Sequence, residues 1–307
     1  MLWYESFDKI TADYLPDLYV EKEVPLSRHS SFRIGGPARR MAFPDTTEQL
    51  VLLQGLAEEC GARPLLIGNG TNMLFPDGGL DRLVINTRDL DGLGLTEEND
   101  CDIQAQAGVS LARLANFACS RGLAGLEFAH GIPGSVGGAV CMNAGAYGGE
   151  MKDVLLGASI LFPEEGVKFL PCEELALGYR HSILTDRPDA IVLRAVFHLQ
   201  KGSPEAIRTR MDELMVKRKA SQPLEFSSAG STFKRPAGYY AGALIEQAGL
   251  KGLRLGDAQV SEKHAGFVIN CGHATGSDVR ALIAEVQRRV QADSNVLLEP
   301  EVKIIDE

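Results

Sequence analysis

Residues 129–150 read Ala-His-Gly-Ile-Pro-Gly-Ser-Val-Gly-Gly-Ala-Val-Cys-Met-Asn-Ala-Gly-Ala-Tyr-Gly-Gly-Glu, with seven glycines (Gly131, Gly134, Gly137, Gly138, Gly145, Gly148, Gly149) inside nineteen positions. Glycine has no Cβ, so its backbone can lie directly against a ligand. Successive bare N–H groups form a concavity that takes anions. The stretch reads as a bed for a long, flat, phosphorylated ligand; the plainer alternative is a tight loop beside a packed core. A second glycine loop, Leu66-Ile67-Gly68-Asn69-Gly70-Thr71-Asn72-Met73-Leu74, follows an apolar run. It starts like a dinucleotide fingerprint, but the third glycine is missing, and Pro76 and Gly78-Gly79 leave no room for the usual helix. It reads either as a pyrophosphate loop offering N–H groups and the Thr71 hydroxyl, or as a plain turn between strands.

Ser231-Thr232-Phe233-Lys234 spells Ser-x-x-Lys, the nucleophile motif of acyl enzymes of the β-lactamase type. That motif opens a helix, whereas here Arg235-Pro236 follows, and the residue before a proline is steered away from helical φ/ψ. The companion Ser-Asp-Asn and Lys-Thr-Gly motifs are absent. Beside Lys234 and Arg235, the Ser231 hydroxyl reads better as a proton donor or anion contact. In Tyr179-Arg180-His181-Ser182, the arginine suits a surface ion pair or a bidentate grip on a carboxylate or phosphate. Glu299-Pro300-Glu301-Val302 sets two acids beside an apolar strand, with Glu299 expected on a solvated edge. His130 and His264 read as packing or hydrogen-bonding residues.

The elements that position these groups leave clear signals. Thr46 to Gln49 forms a capping box before Leu50, Leu53 and Leu56, in a helix expected to end near Gly61. Ser110 caps a helix with Leu111, Leu114, Ala115 and Ala118 on one face, stopped by Gly122. Ser203-Pro204 opens another, since proline suits a first helical turn, and Ile207, Met211 and Leu214 form its stripe. Ser277 is expected to open a helix in which Val279, Leu282, Ile283, Val286 and Val290 recur at helical spacing. Strands are expected at 64–67, 82–86, 102–107, 155–162, 190–199, 266–270 and 302–305. Clustered short strands with sparse helices predict an α+β fold rather than a doubly wound parallel sheet. A change of composition at 200–204 suggests a linker.

At 307 residues the chain is long for one domain. Its hydrophobic (45%) and charged (23%) fractions are those of a soluble globular protein. A net charge of −10 and a pI near 5.2 argue against nucleic-acid or anionic-membrane partners, which need a basic surface. No two of the six cysteines stand two to four apart, so no metal site and no redox C-x-x-C is expected; they read as reduced thiols. No signal peptide and no run of eighteen apolar residues is seen, so a cytoplasmic location is expected.

Taken together, these segments resemble the UDP-N-acetylenolpyruvoylglucosamine reductases, flavoenzymes of peptidoglycan precursor synthesis. The resemblance runs from about Leu26 to Ile305. It begins with Ser30-Ser31-Phe32-Arg33-Ile34-Gly35-Gly36-Pro37-Ala38 and Ile67-Gly68-Asn69-Gly70-Thr71-Asn72. Gly131-Ile132-Pro133-Gly134-Ser135-Val136-Gly137-Gly138-Ala139 and Met142-Asn143-Ala144-Gly145-Ala146-Tyr147-Gly148 follow. Then come Gly178-Tyr179-Arg180-His181-Ser182, Ala229-Gly230-Ser231-Thr232-Phe233-Lys234 and Leu298-Glu299-Pro300-Glu301-Val302, in the family's order. Any one segment is weak evidence; all in register are specific. A larger subtype carries an insertion with a substrate-gating tyrosine loop, and this chain resembles the shorter subtype. Thr71 stands where serine is usual, and Asn295 where glycine is common.

The resemblance implies an α+β fold: a two-lobed FAD-binding domain of the vanillyl-alcohol oxidase type (1–90 and 91–200) and a C-terminal substrate-binding domain (201–307), its last strand packing back on the FAD lobes. It implies FAD held by Gly68, Asn69, Gly70, Thr71, Asn72, Gly134, Ser135, Gly137, Gly138, Ala139, Asn143, Gly145 and Ala146, with NADPH as hydride donor. For the UDP-sugar substrate it implies Tyr179 as a contact. Basic residues cluster late in an otherwise acidic chain, so Lys219, Lys234 and Arg235 are candidates to neutralise the diphosphate. Hydride delivery to an enolpyruvyl alkene leaves an enolate-like dianion. Arg180 and Glu301 match the groups that hold that charge, and Ser231 the group that protonates it. Three other readings stay open: an FAD-dependent oxidase of the same fold, which needs neither Ser231 nor Glu301; a sugar-nucleotide-binding protein without catalysis; and the Ser-x-x-Lys acyl enzyme.

Overall fold

The computed structural model describes residues Leu2–Asp306. The chain forms two compact units, each assembled from three stretches of sequence: Met1–Lys22, Arg40–Asn69 and Arg82–Lys217 in the first, and Glu23–Arg39, Gly70–Asp81 and Arg218–Glu307 in the second.

In the first unit, helix α1 (Trp3–Tyr14) is fixed by a two-pronged bond: Arg40 Nε and Nη2 donate to the Asp8 carboxylate at 2.7 and 2.8 Å. These bonds hold the Asp8 carboxyl below its ordinary range, against a partial burial that raises it. Helix α2 (Thr47–Glu59) starts where expected, with Thr46 Oγ1 accepting the Gln49 N–H at 3.1 Å, and Gly61 beyond its end has φ +67°. Its buried Leu50 and Leu53 share a core with Phe7, Leu83 and Ile85. The unit's parts of a four-stranded sheet are residues 19–22, 40–43, 82–86 and 65–67, in that order, and the last pair is parallel.

A five-stranded antiparallel sheet follows, in the order Gly166–Pro171, Leu155–Phe162, Ile191–His198, Asp102–Gln106, Leu93–Leu95. Helix α3 (Leu111–Ser120) is capped by Ser110 Oγ and buries Leu111, Leu114, Ala115 and Ala118. Two short helices, α4 (Val136–Cys141) and α5 (Ile183–Asp186), lie in the segments singled out for chemistry. Residues 200–204 are not a linker. Gln200–Lys201 pairs with Leu123–Ala124, and helix α6 (Pro204–Ser221) buries Ile207 and Met211 in the same core as Ile103 and Phe197.

In the second unit, a three-stranded antiparallel sheet (Arg254–Leu255, Ala258–Val260, Val268–Asn270) is accompanied by helices α7 (Ala241–Gln247) and α8 (Gly276–Ser294). The expected stripe of α8 is buried throughout, from Val279 to Val290. Its start is corrected from Ser277 to Thr275: Thr275 Oγ1 accepts the Asp278 N–H at 3.0 Å and Asp278 Oδ2 takes the Thr275 N–H at 2.9 Å. Asn295 closes α8 at φ +56°, a left-handed position that asparagine tolerates in place of glycine. The last strand, Lys303–Ile304, runs parallel to Met73–Leu74. The fold is α+β, as the sequence predicts. Among the described residues no helix is long and apolar enough to cross a membrane.

Candidate active site

The glycine-rich segment is pinned to the strand end beside it. Val136 and Gly137 donate their N–H groups to Val109 O and Ala107 O at 2.8 and 2.9 Å, and Gly134 O accepts the Leu111 N–H at 3.0 Å. The reading as a bed of bare N–H groups is thereby narrowed, because two of those groups serve packing. Individual glycines divide the same way. A Cβ on Gly137 would sit 3.0 Å from Ala107 Cβ, one on Gly145 2.7 Å from Glu150 Cβ, and one on Gly149 2.7 Å from the Phe128 ring. Gly138 differs: it is exposed, and its Cβ would meet only Ser135 Oγ, at 3.7 Å. A Cβ on Gly68 would clash with Ser135 Oγ, so the two glycine loops meet within the first unit. Ser135 and Ala139 are buried, Gly134 and Ala146 half-buried, and Asn69 exposed. Tyr147 (φ +54°) and Gly148 (φ +89°) form the left-handed turn that joins Gly145–Ala146 to Gly149–Glu150.

The expectation that Asn143 contacts a cofactor meets a side chain that is fully buried and engaged with the protein. Its Nδ2 donates to Glu150 Oε2 and Gly178 O at 2.9 and 3.0 Å, and its Oδ1 accepts the Lys152 N–H at 3.0 Å. Gly178 opens a tight turn, Gly178–His181, closed by reciprocal backbone bonds of 3.0 and 3.3 Å. Tyr179 and Arg180 form its tip, with Arg180 at φ +54°. The Arg180 guanidinium lies 5.3 Å from the centre of the Tyr179 ring, and its Nη2 donates to Gly145 O at 3.5 Å. Ser182 Oγ donates to Cys141 O at 2.6 Å and accepts the Leu184 N–H, capping α5.

In the second unit, residues 231–234 are extended, not helical. Ser231 pairs with Phe267 and Phe233 with Pro300. Thr232 N donates to Gly266 O, and Thr232 O receives the Glu301 N–H, both at 2.8 Å. In extended backbone, residues three apart face opposite ways, and Lys234 Nζ sits on Glu299 Oε1 at 2.5 Å. The Ser-x-x-Lys geometry of an acyl enzyme is therefore absent. Ser231 and Glu301 instead lie on two segments joined by the Thr232 O bond to the Glu301 N–H, and both are half-buried. Asn72 holds this arrangement: its Nδ2 donates to Glu301 O at 3.0 Å, and its backbone carbonyl accepts the Lys303 N–H. Asn72 Oδ1 is buried with no hydrogen-bond partner among the described residues. Gly70 (φ +59°) sits against His29 O with no space for a Cβ, and Thr71 beside it is half-buried.

Of the basic candidates, Lys234 is paired with Glu299, and Arg235 lies 4.7 Å from the centre of the exposed Tyr240 ring. Lys219 is exposed, and its carbonyl accepts Lys263 Nζ at 2.7 Å. His264 is a hydrogen-bonding residue, as expected: its Nδ1 accepts the Gly266 N–H at 3.2 Å, and burial pushes its pKa below the ordinary histidine value. Three contributors escaped the sequence reading. Thr232, whose Oγ1 accepts the Val268 N–H at 2.9 Å, is buried at the centre of the Ser231 strand. Glu150 and Ser182 brace the Arg180 turn. All three stood inside the quoted motifs, but nothing in their spacing distinguishes a brace from a neighbour.

Comparison with known proteins agrees over the whole chain. The profile for the FAD binding domain matches residues 38–168, and that for the UDP-N-acetylenolpyruvoylglucosamine reductase C-terminal domain matches 222–305. The reductase of that name from Agathobacter rectalis is 48% identical, over 99% of both chains. That from Caldanaerobacter subterraneus is 45% identical, over 97% of this chain and 99% of its own. The crystal structure of UDP-N-acetylenolpyruvylglucosamine reductase from Thermus caldophilus superposes with a TM-score of 0.80 at 37% identity, covering 94% of this chain and all of that one. With both profiles and near-full-length relatives in agreement, the chain belongs to the UDP-N-acetylenolpyruvoylglucosamine reductase family.

Proposed function

We propose that this chain reduces the enolpyruvyl ether of UDP-N-acetylglucosamine to UDP-N-acetylmuramate, a step of peptidoglycan precursor synthesis in the cytoplasm, with FAD as cofactor and NADPH as reductant. Lobes 1–90 and 91–200 hold the cofactor, and 201–307 carries the substrate-facing groups other than Tyr179 and Arg180, which come from the second lobe. Two observations support a fit to FAD. Gly138 is exposed, with only Ser135 Oγ near where a Cβ would lie, and Asn72 Oδ1 is buried with no hydrogen-bond partner among the described residues. When bound, FAD accepts hydride from NADPH and supplies it to the alkene carbon β to the substrate carboxylate. The protein's own groups do the rest. Arg180 and Glu301 hold the negative charge that builds on the carboxylate and α-carbon. Ser231 gives its hydroxyl proton to the α-carbon, which with the hydride completes addition across the double bond. Lys219, Lys234 and Arg235 supply positive charge for the diphosphate, and Tyr179 an aromatic face.

The observation that carries this reading is the backbone bond of Thr232 to Glu301, which sets a proton donor and an acid on neighbouring segments. An oxidase needs neither group. In the test, flavin absorbance is followed by stopped flow. Ser231→Ala should be bleached by NADPH at the parental rate and recover colour with the enolpyruvyl substrate about 10²–10⁴-fold more slowly. Recovery at the parental rate would remove Ser231 as the donor.

A further inference from the structure

Arg180 stands at the tip of a two-residue turn, so the direction of its side chain depends on how the backbone of that turn is held. Its guanidinium lies over the Tyr179 ring and within 3.5 Å of Gly145 O. What fixes the turn lies at its two ends, and both anchors come from the C-terminal end of α4. On the leading side, Asn143 Nδ2 grips Gly178 O at 3.0 Å; on the trailing side, Cys141 O receives the Ser182 hydroxyl at 2.6 Å. Asn143 is itself over-determined. It is fully buried at φ +42°, its second donor bond goes to Glu150 Oε2, and its Oδ1 accepts the Lys152 N–H. Few residues satisfy that position. It needs a left-handed backbone, which asparagine tolerates, together with two donors and an acceptor on one short planar group. Aspartate has the shape but no donor, and glycine has the backbone but no side chain.

We propose that Asn143 is a positioning residue for substrate: it clamps the Gly178–His181 turn so that Arg180 is aimed at the substrate carboxylate, with Ser182 as the second clamp. This rests on the reading of Arg180 given above. It turns Asn143 from a cofactor contact into a brace between the glycine-rich segment and the arginine.

The test is Asn143→Asp, which keeps shape and left-handed tolerance but sets a carboxylate against Gly178 O and Glu150. The purified variant should retain FAD and be reduced by NADPH within about twofold of the parent. Its binding of UDP-N-acetylmuramate, measured by calorimetry, should weaken about tenfold. Its binding of UDP-N-acetylglucosamine, which lacks the carboxylate, should not change. Ser182→Ala, which removes the other clamp without adding charge, should show the same selective loss and covers the case in which Asn143→Asp fails to hold FAD. Arg180→Lys combined with Asn143→Asp should be no worse than Arg180→Lys alone, because residues acting through one group are not additive. Equal weakening for both nucleotides, or unchanged binding of both by Asn143→Asp and Ser182→Ala, overturns the proposal. Arg180→Lys alone separates the two ideas: if it binds UDP-N-acetylmuramate like the parent, the reading of Arg180 itself has failed.

Discussion

At the scale of single residues, adjacent glycines of α4 have opposite meanings. Gly137 is glycine because Ala107 is 3.0 Å from where its Cβ would be; Gly138 has no such neighbour. Gly137→Leu should therefore lower apoprotein stability by about 1–3 kcal/mol, the usual cost of overpacking. Gly138→Leu should leave it unchanged or raise it by up to about 1 kcal/mol, since leucine forms helix better than glycine, yet it should lose FAD. Urea titration of apoprotein and flavin content after purification check the pair. If Gly138→Leu keeps its flavin, that face does not meet the cofactor. Legibility at this scale was partial. Arg180, Ser231 and Glu301 stand out in the motifs as candidates, and Ser231 near Glu301 follows from the non-helical backbone that Pro236 foreshadowed. Asn143 could not be assigned, because a buried asparagine with every donor spent looks in sequence like one facing a ligand.

At the scale of elements, helix starts were legible where a polar cap precedes an apolar stripe, as at Thr46 and Ser110. Leu155–Phe162 came out with both ends correct because its run of apolar residues is closed by Pro163. Helix α1 was missed: Leu2 sits at its cap position, with no side-chain oxygen to announce a start. Helix α4 was missed because its glycines and valines have poor helix propensity, and the backbone bonds to Ala107 and Val109 override it. The start of α8 was displaced because a distant residue shares its capping. Asp77 accepts from Gly276 N, Ser277 N and Ser277 Oγ at 2.6–3.0 Å. Burial raises the Asp77 carboxyl, but these bonds, with Arg280 nearby, outweigh it and hold the group below its ordinary value. A carboxyl lowered in the folded state stabilises above its unfolded pKa and loses that contribution as pH falls through the folded one. Asp77→Ala should cost about 1–2 kcal/mol at neutral pH, and the deficit should shrink below about pH 4. Urea midpoints of parent and variant at neutral and acidic pH decide this; a deficit independent of pH would mean the carboxylate charge is not what matters.

At the scale of the whole molecule, two half-buried histidines point the same way. Burial lowers the pKa of both His130 and His264, which disfavours their charged forms in the folded protein. The unfolded chain then takes up protons first, so stability should be flat above about pH 6.5 and fall as pH drops below it. His264→Asn should remove part of that slope without changing the plateau by the same amount; chemical denaturation between neutral and mildly acidic pH measures both. A slope identical to the parent's would assign the effect to other groups. The unit boundaries were the least legible feature. Composition suggested a break at 200–204, whereas α6 belongs with the first core and the second unit takes up 23–39 and 70–81 from early in the chain. Local signals report neighbours in sequence, and these units are made of residues distant in it.

The parallel pairing of Lys303–Ile304 with Met73–Leu74 has a consequence for how the protein is made. On a ribosome, residue 73 emerges long before its partner at 303 exists. The second unit cannot close until residues 303–304 have been made, and contacts this distant in sequence are slow to form. The first unit, whose last residue is Lys217, has all its chain much earlier. Synthesis should therefore pass through a stage in which one half is protease-resistant and the other open. Chains stalled after residue 217 should yield a stable fragment under limited proteolysis, whereas chains stalled just short of residue 303 should still be cut beyond 218. A nascent chain thus stays open to proteases until this strand can pair, and a chain lacking residues 303–304 should remain a substrate for proteolysis.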